Sequence, residues 1–455
     1  MKGTDKASPH RNVTPSPLLR LFDKATGVLV EVFDPRLLLA ATTALMAYTV
    51  YFTQHKFPGR WMEFVALGMV LVGLVAIVAR TPEMRTRIHW HLPTAVLWFA
   101  LHSWMLLSGL FYEDWLSESM ALLIAYPFLF AIISARDDTS TLYAVTRGAV
   151  YAALPFLLWS YLTTPIVWGY PGYRGVFYNA NGLAMCSDML SVCALLLAYA
   201  DWQRGRKRQT AVHLAISLLG AVTVGLTLSR SAWVTYLGVL LVLLGCIFMR
   251  RTRYPMRVVA GLCALTMVAG SALVYVSYVK ARQTAIEDYE MAVRVDNATG
   301  LGIYEIPPDE RVLNLNDFSS DRIGIWREAL TNLTWNGHPT SVIEEWVRKD
   351  GGLRRLNAHN SFVAVAYNHG WPAALLFIAY VALSAWRAWR YYWLRRAHQP
   401  MAIAPLLLTT LFVLESLFES VYAPFSVVGC AYLLVQGVLW RENLSLPTEE
   451  EGAGT

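Results

Sequence analysis

The chain has 455 residues, 56% hydrophobic and 13% aromatic, with a formal net charge of +6. Only 15% are charged, against about 25% in ordinary soluble domains, which excludes a string of soluble cores and points to helices spread across a bilayer. The basic surplus does not form a nucleic-acid face, because the arginines stand at the ends of apolar runs, where membrane orientation explains them.

Residues 1–34 open polar and basic and carry no apolar core with a cleavage site, so they read as a cytoplasmic tail. A bilayer core needs roughly 20 mostly apolar residues per helix. Nine such runs fall within 35–279: 35–52, 61–79, 92–112, 119–135, 144–163, 182–200, 211–228, 232–249 and 258–279. Three more follow within 359–440, at 361–386, 401–420 and 423–439, before a second cytoplasmic tail at 441–455. The expectation is an all-α polytopic membrane protein with about twelve transmembrane helices. Cys186, Cys193, Cys246, Cys263 and Cys430 all lie inside apolar segments and read as packing residues.

Loop charge orients the runs. With the N-terminus inside, the cytoplasmic connections carry Arg204, Arg206, Lys207 and Arg208, then Arg250, Arg251, Arg253 and Arg257, then Arg387, Arg390, Arg395 and Arg396. The opposite short loops offer little beyond Lys56, Arg60, Arg174 and Arg230. This asymmetry puts both ends in the cytoplasm.

The connection 280–358 is polar and faces the other way. Ile323, Trp326, Leu330 and Leu333 recur at helical spacing after Ser320-Asp321. A second short helix is expected after Ser341, with Glu344 completing a capping box. Two Trp-bearing amphipathic helices describe a lid over the outer leaflet or an ordinary folded segment.

Polar groups beside hydrocarbon are costly, and four clusters on the outer side stand out. Arg230, in Ser229-Arg230-Ser231, is held at the surface by the near absence of a loop, and its planar fork of donors suits phosphate oxygens. Snorkelling is the bland alternative. Arg174 precedes the segment Phe177-Tyr178-Asn179-Ala180-Asn181-Gly182, where Asn179 and Asn181 suit a tight helix entry or sugar hydroxyls. Asp321-Arg322 opens the first lid helix, with Arg322 able to reach an anionic headgroup or pair with its neighbour, and Trp326 able to anchor or stack on a sugar. His359 and Asn360 sit where the chain re-enters the membrane, and a neutral imidazole at a helix N-terminus can take a proton from a hydroxyl. Asp188, Glu415 and Glu419 could pair with outer-side arginines, bind a proton or contact substrate, with pairing the default. There is no Walker loop, HExxH, GxSxG, four-ligand metal pattern or Asp-x-Asp, so no metal or other cofactor is expected.

Together the Asn179/Asn181-Gly182-Leu183-Ala184 segment, Ser229-Arg230-Ser231-Ala232-Trp233, Arg322-x-x-x-Trp326 and His359-Asn360 resemble the O-antigen ligase and polymerase superfamily of bacterial inner-membrane proteins. The resemblance covers roughly 176–422. It departs from the family where a Gly-x-Gly is common before the His, since Gly337-His338-Pro339 stands here. It departs again where Glu-x-Gly commonly follows, since Asn368-His369-Gly370 stands instead. The resemblance implies a fold like the polytopic (GT-C-like) glycosyltransferases with lipid-linked donors. It also implies transfer of glycan from undecaprenyl diphosphate to a sugar hydroxyl of lipid A-core on the periplasmic face, with membrane lipids and no nucleic acid as further partners. His359 then takes the role of general base, and Arg230 and Arg322, with Arg174 by position, bind the diphosphate. Asn179, Asn181, Trp326 and Asn360 are candidates for sugar contact or support. A polymerase or a protein O-oligosaccharyltransferase would use the same chemistry on another acceptor. A flippase or transporter is the non-enzyme alternative, against which stand the one-sided polar clusters.

Overall fold

The computed structural model describes residues 35–54, 64–71, 90–113, 116–134, 138–166, 172–249, 261, 322–339 and 358–444. Every regular element among them is a helix, and the one β pairing is an isolated bridge between Trp90 and Arg441. In chain order these are α1 (Pro35–Gln54), α2 (64–71), α3 (Leu92–Tyr112), α4 (Leu116–Met120), α5 (Tyr126–Ser134), α6 (Asp138–Thr163) and α7 (Ala180–Gln203). Then follow α8 (Lys207–Leu226), α9 (Arg230–Met249), α10 (Arg322–Thr331), α11 (Ser361–Arg395), α12 (Ala404–Phe418) and α13 (Val427–Leu439). A π-helical turn, Ala121–Ala125, joins α4 to α5.

Six of these, α3, α6, α7, α8, α9 and α11, contain stretches long and apolar enough to cross a membrane, and shorter apolar helices accompany them. The run expected at 258–279, apart from residue 261, most of 61–79, and the greater part of 280–358 with its second lid helix lie outside the described residues.

Helix α7 is the axis, buried along nearly its whole length and packed against α6, α8 and α9. Small residues permit the close approach, as is usual where lipid gives helices no hydrophobic reason to associate. A Cβ on Gly220 of α8 would crowd the Ser187 carbonyl and Ser191. Ser191 Oγ donates to the Ser217 carbonyl at 2.7 Å. The middle of α7 is thereby held against α8, and its N-terminal end carries the candidate site.

Three expected runs depart from single unbroken helices, and the departures matter. The run beginning at 361 extends to Arg395 as one long helix broken at Gly370, whose φ of 87° and ψ of 165° no helix accommodates. Pro372, which cannot donate a backbone hydrogen bond, follows at once. The runs at 401–420 and 423–439 shorten to α12 and α13, leaving residues 419–426 outside any helix. Ser426 restarts the chain as N-cap of α13, accepting from the Gly429 N–H at 3.0 Å.

Two arginines read as orientation signals also hold the fold. Arg387 and Arg395 are buried in α11. Arg387 Nε donates to the Leu439 carbonyl at 2.7 Å, and Arg395 Nε to that of Leu444 at 2.8 Å. Arg387 thus satisfies a carbonyl at the C-terminal end of α13, where no helical N–H remains to do so.

Candidate active site around Glu419

Helix α12 stops at Phe418, and Glu419 caps it in an extended conformation (φ −141°, ψ 154°). Its side chain is buried where the starts of α7, α10 and α11 converge. Oε1 accepts from Arg322 Nη2 at 2.8 Å and from Asn181 Nδ2 at 2.9 Å. Oε2 lies 2.8 Å from His359 Nδ1. One carboxylate therefore gathers three side chains from three separate stretches of chain.

The main chain around it is also pinned. Arg322 Nη1 donates to the Phe418 carbonyl at 2.6 Å, and Asn360 Nδ2 to that of Leu417 at 3.0 Å. Ser361 Oγ donates to the Glu419 carbonyl at 3.1 Å and accepts from the N–H groups of Val421 (2.9 Å) and Tyr422 (3.1 Å). The irregular segment after α12 is thus clamped by the first turn of α11, which satisfies polar groups that hydrocarbon could not.

His359 has a φ of 46°, in the left-handed region that non-glycine residues avoid. Such a conformation costs about 1–3 kcal/mol and persists only where the surroundings over-determine it. Here Asn360 supplies that determination as N-cap of α11, accepting from the N–H groups of Phe362 (2.9 Å) and Val363 (3.0 Å). Trp326 Nε1 holds the other side, donating to the Ala358 carbonyl at 2.7 Å. Behind them Trp326, Ala329, Ala358, Val363 and Tyr367 form a small apolar cluster that seats α10 on α11.

The imidazole is about one third exposed, while Arg322 and Glu419 are mostly enclosed. A carboxylate paired with a guanidinium is an acceptor only, so the proton between Glu419 and His359 belongs to Nδ1. The neutral ring then carries its lone pair on Nε2. That tautomer is the one a general base needs.

Arg174 and Arg230 belong to a neighbouring turn. The Tyr173 N–H donates to the Leu226 carbonyl at 3.0 Å. Gly172, at φ 90°, lies so close to Thr227 that a Cβ would strike its carbonyl oxygen. The loop bearing Arg174 is thereby pressed on the turn that leads to Arg230, which is exposed in the first turn of α9. Leu228 in that turn is a second non-glycine residue with positive φ, at 56°. Gly238 of α9 abuts Leu414 of α12. Late in α9 the Cys246 carbonyl meets Tyr392 late in α11, whereas Glu419 after α12 meets Ser361 at the start of α11. Helices α9 and α12 therefore run oppositely, and Arg230, roughly 12 Å along α9 from Gly238, and Glu419, roughly 8 Å along α12 from Leu414, reach the same end of the bundle.

Several sequence candidates have structural partners of their own. Asn179 caps α7, accepting from the Gly182 N–H at 2.7 Å, as Asn360 caps α11. Trp326 spends its indole N–H on the main chain. Arg322 spends part of its fork on Glu419 and Phe418. Glu419, whose default reading is to pair with an arginine, does so and also meets the histidine. Asp188 and Glu415 lie fully buried in α7 and α12. Among the described residues no three His, Cys, Asp or Glu side chains stand together as metal ligands.

The two departures from the family pattern form one structure. Gly337, at φ 85°, lies against the carbonyl of Asn368, and Gly370, at φ 87°, against that of Trp335. A side chain at either glycine would collide with backbone. The Trp371 N–H donates to the Thr334 carbonyl at 3.2 Å. Ser108 Oγ and Tyr112 OH of α3 donate to the carbonyls of Asn336 (2.7 Å) and Gly337 (2.8 Å). Residues 334–337 are therefore docked into the break of α11.

Residues 215–378 match the family model described as O-Antigen ligase. The matched stretch contains Arg230, Arg322, Trp326, His359 and Asn360, while Arg174, Asn179, Asn181 and Glu419 fall outside it. No curated protein matches the chain. The match and the apolar helices together describe a multi-pass membrane protein with a glycosyltransferase-like activity of the ligase or polymerase type.

Proposed function

From a chain of the O-antigen ligase superfamily, we propose an enzyme that moves glycan from undecaprenyl diphosphate to a sugar hydroxyl of lipid A-core, on the periplasmic face of the inner membrane. The observation that carries this reading is the 2.8 Å contact between His359 Nδ1 and Glu419 Oε2, held beside Arg322.

In this scheme Glu419 accepts the hydrogen bond from Nδ1–H, which keeps that proton on the ring and leaves Nε2 to receive the proton of the acceptor hydroxyl. The hydroxyl oxygen bonds to the anomeric carbon as the bond from that carbon to the diphosphate oxygen breaks. The electron pair leaves on the diphosphate, and the configuration at carbon inverts. Diphosphate is a capable leaving group once its growing charge is held, so positioning, electrostatics and one base suffice. Arg230 is the principal candidate to hold that charge, because the start of α9 adds partial positive charge beside its guanidinium. Arg174, on the loop packed against the same turn, supports it. Arg322 keeps Glu419 an acceptor first, and meets the diphosphate only with donors not directed at Glu419 and Phe418. The twelve-helix topology with both termini in the cytoplasm belongs to this proposal.

The test is transfer in a purified system containing the full chain, undecaprenyl-diphosphate-linked glycan, lipid A-core and a chelator. The expected product is lipid A carrying glycan of graded size. Lengthening of the lipid-linked chain with no transfer to lipid A-core would make the enzyme a polymerase. A product that keeps the donor's anomeric configuration would overturn the single displacement.

A further inference from the structure

Helix α7 has 24 residues and so runs roughly 36 Å from the Glu419 cluster to its other end. There a cavity of about 440 Å³ opens between α1, α6 and the α7–α8 turn. Arg147, Arg204 and Arg206 all line it, together with Tyr143, Thr139 and Ser140. Nothing in the proposed transfer chemistry uses these residues.

Two of the three guanidiniums are held against one ring. Arg204 lies over the Tyr143 ring at 4.3 Å from its centroid, and Arg147 at 5.3 Å. Stacking on one ring suits the planar arginine side chain but brings like charges together. Among the described side chains, Asp201 is the acid that meets them, and it is shared. Its Oδ2 lies 3.0 Å from His213 Nδ1, and its Oδ1 3.8 Å from Arg206. Among the described side chains, that one carboxylate stands against three guanidiniums. The described lining therefore carries a surplus of positive charge in a recess with partly apolar walls, where electrostatic attraction is less screened than in open water. Thr139 and Ser140 lie in the first turn of α6. Thr139 Oγ1 is itself held by Gln399 Nε2 at 2.6 Å.

We propose that this cavity binds a phosphate-bearing anion, namely the headgroup of an anionic phospholipid. Its volume falls in the range of small-molecule sites. A basic recess between membrane helices at the arginine-rich end is the setting in which such headgroups are recognised. The shared chemistry is the phosphate; a soluble phosphate is the other source.

The experiment uses the full chain purified in detergent and mixed with phosphatidylglycerol or phosphatidylcholine, with native mass spectrometry counting bound lipid. A parallel arm follows the melting temperature as inorganic phosphate is added. The variants are R204Q alone and R147Q combined with R204Q, each first matched to the parent in elution volume and melting temperature. Preferential retention of phosphatidylglycerol, weakened about fivefold for each arginine removed, supports the headgroup site. Stabilisation by inorganic phosphate in the parent but not the variants, without preference between the two lipids, overturns the lipid and leaves a soluble phosphate. Equal phosphatidylglycerol binding by parent and variants overturns the site altogether. Should the double variant fail to fold, R204Q decides alone.

Discussion

The two ends of α7 handle charge in opposite ways. At one end a single buried carboxylate, Glu419, collects an arginine, a histidine and an amide, and the site is balanced from within. At the other, three arginines surround a cavity with Asp201 as the nearby acid. The first arrangement fixes a proton on a chosen nitrogen, which is what chemistry requires. The second is suited to holding an anion brought from outside. The Glu419 end should accordingly be intolerant of single changes, while the arginine end should yield gradually.

The largest expected effect is at His359. His359→Ala should lower transfer about 10²–10⁴-fold with the melting temperature little changed, read from glycosylated lipid A on gels. Activity within tenfold of the parent would remove His359 from the chemistry. Glu419→Gln keeps the shape but presents donors as well as an acceptor to the imidazole, so it should cost about 10²–10⁴-fold in kcat through loss of the correct tautomer. If KM alone rose, Glu419 would be serving the substrate and not the histidine.

Gly370→Ala probes what holds the histidine's helix. Its Cβ would meet the Trp335 carbonyl at a positive φ, and a loss of about 2 kcal/mol is expected in thermal or denaturant unfolding. Asn179→Ala removes a cap from α7 and should cost about 1 kcal/mol. The smallest effect sharpens the contrast between the ends. Arg206 is about half exposed and 3.8 Å from Asp201, so Arg206→Gln should change stability by no more than about 0.5 kcal/mol.

Local features were readable in the sequence. The apolar runs mark most of the described helices, and the position of His359-Asn360 at a helix start is borne by the Asn360 cap. Asn179 and Asn181 were readable as a helix entry, which is what Asn179 serves. What depends on distant pairing was not readable. Glu419 meets Arg322 and His359 across 97 and 60 residues of chain, and an acid at a helix end announces only that some cation lies near. The left-handed backbone at His359 has no residue signature, because it is imposed by Asn360 and Trp326 from either side. Gly337-His338-Pro339 and Asn368-His369-Gly370 looked like separate departures from a motif, since their meeting is a matter of tertiary approach.

The seating of residues 334–337 in the break of α11 means that the α10 segment and the histidine turn open together. The backbone N–H of Trp371, the indole of Trp326 and the carbonyls held by α3 tie residues 322–339 and 358–371 into one cooperative unit of local unfolding. Amide hydrogens across both stretches should therefore exchange with solvent deuterium at a common rate, and a substitution at Gly337 should speed that exchange at His359, some twenty residues away in sequence, as much as in its own loop.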